Sequence, residues 1–158
     1  MLLGRGMRRS LALGVVAAGV AAGAYALWPQ RGSPEEQVRA AVGEMERGLG
    51  ARDAARVLGH VSETFHSPSL GNRADLQRLV LGEVLRGGGV RVVTLQAEVL
   101  AESDGRWRWR GRVAAARAGG AGVAAITEAE LRQFHVDALF AEEEGQWRLV
   151  EASVTPLE

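Results

Sequence analysis

The sequence contains no cysteine and no lysine. Without cysteine there can be no disulfide, no thiol nucleophile and no cysteine-based metal site. The 19 basic residues are therefore all arginine, and 19 acidic residues balance them to a formal net charge of zero. A chain specialised for nucleic acid usually carries a net positive field that neutralises phosphates. This one has none, and nucleic acid is not expected as a partner. The exclusive use of arginine, beside abundant alanine and glycine, fits coding bias in a GC-rich genome. Other chemistries also lack their pattern. No Ser-His-Asp arrangement stands out. Gly87-Gly88-Gly89 follows a helical pattern, whereas anion sites use helix N-termini. His60, His66, His135 and Asp137 are suitable metal ligands by type, but no two stand at a spacing that builds a site. Neither a metal nor a cofactor is expected. What is present is ordinary for a folded domain: 158 residues, 47% apolar and 24% charged, enough for one domain behind an export segment.

That segment is the N-terminus. Arg5, Arg8 and Arg9 precede an uncharged run from Leu11 to Trp28. As a helix, such a run spans roughly 27 Å, close to the ~30 Å of a bilayer core, and the arginines would hold the N-terminus in the cytoplasm. Residues 1–28 are therefore read as a transmembrane signal-anchor. The alternative is a cleaved signal peptide, because Ala24-Tyr25-Ala26 is an A-x-A pattern. In both versions residues 34–158 form a domain outside the cytoplasm, tethered to the inner membrane or secreted, and residues 29–33 are a linker.

The domain opens with a strong helix start. Ser33 is an N-cap, Pro34 takes the first helical position and Glu36 stands three residues after the cap. Val38, Ala41, Val42, Met45 and Leu49 follow at helical spacing. Asp53 caps a second, short helix carrying Ala54, Val57, Leu58 and Val61. A brief extended piece turns at Pro68 and Gly71, and Asn72 starts a third helix whose apolar face is Leu76, Leu79, Val80 and Val84. The period then changes to two. Val93, Leu95, Ala97 and Val99 alternate with polar residues as in a strand with one buried face. After an Asp104-Gly105 turn, "RWRWRGRV" places Trp107, Trp109, Gly111 and Val113 on one face and four arginines on the other. The tryptophans are expected toward the helices and the arginines outward among carboxylates such as Glu98 and Glu102. "AGGAG" makes the next turn. A third strand from Glu130 to Ala141 buries Phe134, Val136, Ala138 and Phe140, and "QWRLVEASV" is the last. The expectation is α+β: three N-terminal helices packed on a curved antiparallel sheet, plus the N-terminal apolar helix.

This order of elements resembles the nuclear transport factor 2-like superfamily, a cone-shaped fold shared with ketosteroid isomerases and SnoaL-like polyketide cyclases. The resemblance covers residues 34–157. It rests most on the closing hairpin "EEEGQWRLVEA", and next on "GLGARDAARVLGHVSETF", where one helix passes through an Asp-capped turn into another. Catalytic members resembling this chain run acid-base reactions inside the cone. Ketosteroid isomerase-like proteins carry an aspartate base immediately before a proline, and the matching residue here is Ser67. The resemblance therefore implies the scaffold without its usual base. His66 could substitute, since imidazole titrates near neutral pH, and His135 with Asp137 lie two apart on a strand face, as a base and its orienting carboxylate do.

Two functional expectations follow. The leading one is a non-enzymatic cell-envelope domain that binds a small apolar ligand in the cone, against Phe65, Trp107, Trp109 and Phe134, or a protein partner on its sheet, including a second copy of the chain. The alternative is an isomerase-like or SnoaL-like acid-base enzyme using His66, or His135 with Asp137. The two differ in direction: an enzyme needs those side chains to converge in a deep pocket.

Overall fold

The computed structural model describes residues 32–85, 90–117 and 131–158. The proposed anchor, the "AGGAG" turn and the glycine triplet 87–89 lie outside the described residues. Helix α1 (Pro34–Ala51) begins as its sequence predicts. The Glu36 N–H donates to Ser33 Oγ and the Ser33 N–H donates to Glu36 Oε2, a reciprocal capping box with Pro34 in the first turn. The helix ends at Arg52, which adopts a left-handed conformation. Asp53 then accepts the Arg56 N–H and starts α2 (Ala54–Leu58). The two helices cross at Gly48, where an added Cβ would stand 2.8 Å from Val57 Cγ2. No helix among the described residues is long and apolar enough to cross a membrane.

The first correction follows α2. Val61 does not continue the helix, which stops at the Gly59 cap. It opens strand β1 (Val61–Ser67), followed by the two-residue β2 (Gly71–Asn72). Val61 and Phe65 are almost fully buried, so what reads as a brief extended piece is a core strand. Helix α3 (Arg73–Leu85) starts from a reciprocal pair, the Asp75 N–H on Asn72 Oδ1 and the Asn72 N–H on Asp75 Oδ2. Four long strands follow: β3 (Val90–Ala101), β4 (Trp107–Arg117), β5 (Arg132–Glu143) and β6 (Gln146–Pro156). They form the antiparallel meander that the turn signals predict. Its last hairpin turns through Glu144 and Gly145, both at positive φ, which is why an acidic-Gly pair occupies it.

The sheet has six strands in the order β2-β1-β6-β5-β4-β3. Because β1 runs parallel to β6, the sheet is mixed rather than wholly antiparallel. Its inner face packs against α1, and the core joins Val38 and Ala41 of α1 to Phe65, Trp109, Phe140, Trp147 and Leu149 of the strands.

A bulge in β3 corrects a second expectation. Thr94 pairs with Val113, but Gln96, not Leu95, pairs with Arg112. One extra residue reverses the alternation within the strand. Val92 and Thr94 point inward before the bulge, and Ala97 and Val99 after it. Val93 and Leu95, read from the sequence as core residues, are each 48% exposed.

Strand β4 is arranged as its alternation predicts. Trp109 and Val113 are buried, and Trp107 packs against the core. The arginines face outward, and Arg108 and Arg110 meet carboxylates. Arg108 reaches Glu102 and Asp137, both at 2.5 Å, while Arg110 contacts Asp137 at 3.0 Å from the directly opposite ladder position. The hydrogen bonds that Arg108 donates, first to Glu102 and then to Asp137, hold its guanidinium above its ordinary pKa.

Candidate functional site

Between α1, α3 and the inner face of the sheet lies a chamber of about 270 Å³. Met45 and Leu49 of α1, Leu76 and Val80 of α3, and Trp109, Val113, Val136 and Ala138 of the sheet line it. Chamber-lining Leu49, Leu70, Leu76 and Val80 also line a wider vestibule of about 710 Å³, which adds Leu79, Glu83, Val90, Arg132 and Phe134. Leu79, expected on the buried face of α3, is half exposed because it belongs to this vestibule wall.

Among the described residues of the chamber wall, one carries a charged side chain. Glu46 projects from α1 four residues after Val42 and three before Leu49, within the apolar stripe. Thr94 Oγ donates to Glu46 Oε1 at 2.5 Å. Thr94 can reach inward only because of its place before the bulge. Sequence reasoning misses both residues: Glu46 is recognisable from its helical spacing, whereas simple alternation puts Thr94 on the wrong face.

The structure separates the predicted acid-base residues from this chamber. His66 follows the buried Phe65 and therefore points away from the core; its side chain is 70% exposed, with Nε2 3.7 Å from Glu151 Oε2. His135 is exposed on β5, opposite Arg112 and Thr155. Asp137 is held by Arg108 and Arg110 on the outer face. The alternation that turns Phe134, Val136 and Ala138 inward turns His135 and Asp137 outward. The three residues do not converge in the cone. Ser67, in the position before the proline, accepts the N–H groups of Ser69 and Leu70 and so shapes the turn into β2. His60 is half-buried beside α2; burial lowers its pKa, Glu44 opposes the shift, and Arg148 and Arg56 add to it.

The expected ligand-contacting aromatics are divided. Trp109 lines the chamber and Phe134 the vestibule. Phe65 is sealed in the core at 2% exposure, and Trp107 packs at the core's edge. The Trp109 ring lies over Gly111, where an added Cβ would overlap ring atom Cη2.

No protein-family model matches the sequence, and no curated protein does. Solved structures match its shape. Aln2 from a Streptomyces species superposes with a TM-score of 0.66 over 78% of this chain and 92% of its own, at 12% identity. A Nostoc punctiforme protein of unknown function with a cystatin-like fold gives 0.56, covering 77% and 89% at 12% identity. A Streptomyces avermitilis protein of the nuclear transport factor 2-like family gives 0.63, covering 78% and 96% at 13% identity. The fold is the cystatin-like, nuclear transport factor 2-like cone. In this cone the chamber is the interior between helices and curved sheet, and the outer sheet face carries the arginine ladder.

Proposed function

We propose that the protein is a non-enzymatic binding domain that takes a small, mostly apolar molecule into its cone. The observation that carries this reading is the chamber wall, apolar throughout among the described residues except for Glu46. Such a wall favours ligands through the apolar area they remove from water, while a few placed polar groups set orientation. The fold does not decide between binding and catalysis, since one architecture hosts many activities. The acid-base alternative built on His66, or on His135 with Asp137, draws no support from the chamber, because none of the three lines it. The N-terminal arginines and the apolar run 11–28 support an extracytoplasmic position, tethered to the membrane. N-terminal sequencing of the exported chain separates anchor from signal peptide: a start at Leu27 means cleavage.

Fluorescence of N-phenyl-1-naphthylamine, an uncharged apolar probe, tests the binding reading. Saturable enhancement is expected with the native protein. It should be lost in Val136→Phe, which fills the chamber, in a variant whose circular dichroism is native. Equal binding by that variant, or no binding by the native protein, would sink the proposal.

A further inference from the structure

We infer that the ligand of the chamber carries a cationic amine at one end and that Glu46 is its counter-charge. The inference rests on the proposed binding reading and gives it a ligand class. Several carboxylates of this domain meet arginine: Glu35 with Arg39, Glu44 with Arg47 and Arg56, Asp104 with Arg106, and Asp137 with Arg108 and Arg110. Glu46, like Glu143 beside Ser62, meets a hydroxyl instead, and of these two it is Glu46 that lines the chamber. Among the described residues its one hydrogen-bond partner is the neutral hydroxyl of Thr94, and no arginine lines the chamber. Arg132 lines the vestibule and not the chamber.

An acid placed against apolar side chains without a counter-charge costs free energy unless something compensates it. Thr94 compensates Oε1 and fixes the orientation of the carboxylate. Among the described residues no protein hydrogen bond reaches Oε2, which is open to water or to a ligand donor. A ligand ammonium supplies both the donor and the charge, and charge-assisted hydrogen bonds of this kind are about twice as strong as neutral ones. The remaining wall then selects an apolar body. A ligand carboxylate would meet like charge, and a second polar group on the ligand would face a wall that is otherwise apolar among the described residues.

The test uses the full chain and competition against bound N-phenyl-1-naphthylamine by three molecules of one length: n-octylamine, 1-octanol and octanoate. Octylamine is expected to displace the probe at a concentration about tenfold lower than octanol, the ratio given by a charge-assisted hydrogen bond worth ~1.4 kcal/mol more than a neutral one. Octanoate should be the weakest. In Glu46→Gln, which keeps size and hydrogen bonding but removes the charge, octylamine should fall to the level of octanol while octanol itself is unchanged. Thr94→Val, which frees the carboxylate to rotate, should give an intermediate preference. Equal displacement by amine and alcohol, a preference for octanoate, or an amine preference that survives Glu46→Gln would overturn the inference while leaving the chamber as a binding site. If the probe itself does not bind the native protein, the binding reading fails and this inference with it.

Discussion

Gly111 and Trp109 illustrate how a single residue without a side chain shapes the chamber. The indole of Trp109 lies along β4 above Gly111, in space that any Cβ would occupy. Glycine inside a strand ordinarily costs stability, because the unfolded chain is freer there. Its use here buries a large aromatic surface instead, with Trp109 only 3% exposed. Gly111→Ala should therefore destabilise the protein by about 1–3 kcal/mol, as overpacking of a core does. It should also weaken probe binding by tilting the ring into the chamber. Urea unfolding of this variant, alone and in a Trp109→Leu background, checks the cause. The cost should largely vanish when the ring is absent, because contacting residues are coupled. An equal cost in both backgrounds would show that the strain lies in the backbone and not in the indole.

At the scale of elements, β4 and β5 form a two-sided surface whose faces do different things. Inward are Trp109, Val113, Val136 and Ala138 of the chamber; outward is a ladder in which Asp137 joins Arg108 to Arg110, and Arg108 joins Asp137 to Glu102. These pairs are partly exposed, so Asp137→Asn should cost about 0.5–1 kcal/mol in thermal or urea unfolding. Neither that change nor His135→Ala should alter probe affinity, since both positions lie on the far side of the sheet. A large loss of binding in either variant would mean that the outer face contributes to the site. The period of two in "RWRWRGRV" and in Phe134 to Phe140 is sufficient to assign these faces from sequence, and the Ser33 capping box and the Asp53 cap are sufficient to start two helices. Two things are not legible. The parallel pairing of β1 with β6 is a long-range contact that leaves no local signal, so Val61 reads as helix. The bulge at Leu95 reverses a strand's phase through one unpaired residue, and no residue type there announces it. The bulge also hides the Glu46–Thr94 contact from sequence: with Thr94 assigned outward, nothing pairs it with Glu46.

Over the whole molecule, the arginines decide what the protein is not built to meet. Their number equals that of the acidic residues, and among the described residues many of them are paired locally with carboxylates. Arg39, Arg47, Arg56, Arg78, Arg106, Arg108 and Arg110 each contact a carboxylate within their own helix, hairpin or neighbouring element. Affinity for a phosphate backbone comes from releasing condensed counterions, and an arginine already paired with aspartate or glutamate contributes little to that release. Trp107 and Trp109 cannot compensate by stacking on bases, because both pack into the core. Binding of labelled single-stranded or duplex oligonucleotides, followed by fluorescence anisotropy, should therefore be weaker than the ~10⁻⁴ M end of the ordinary non-specific range at physiological salt. Lowering the salt should not bring out a tight complex. A saturating isotherm with a steep logarithmic salt dependence would contradict this, and charge reversal at Arg110 and Arg112 would then identify whether the ladder is its source.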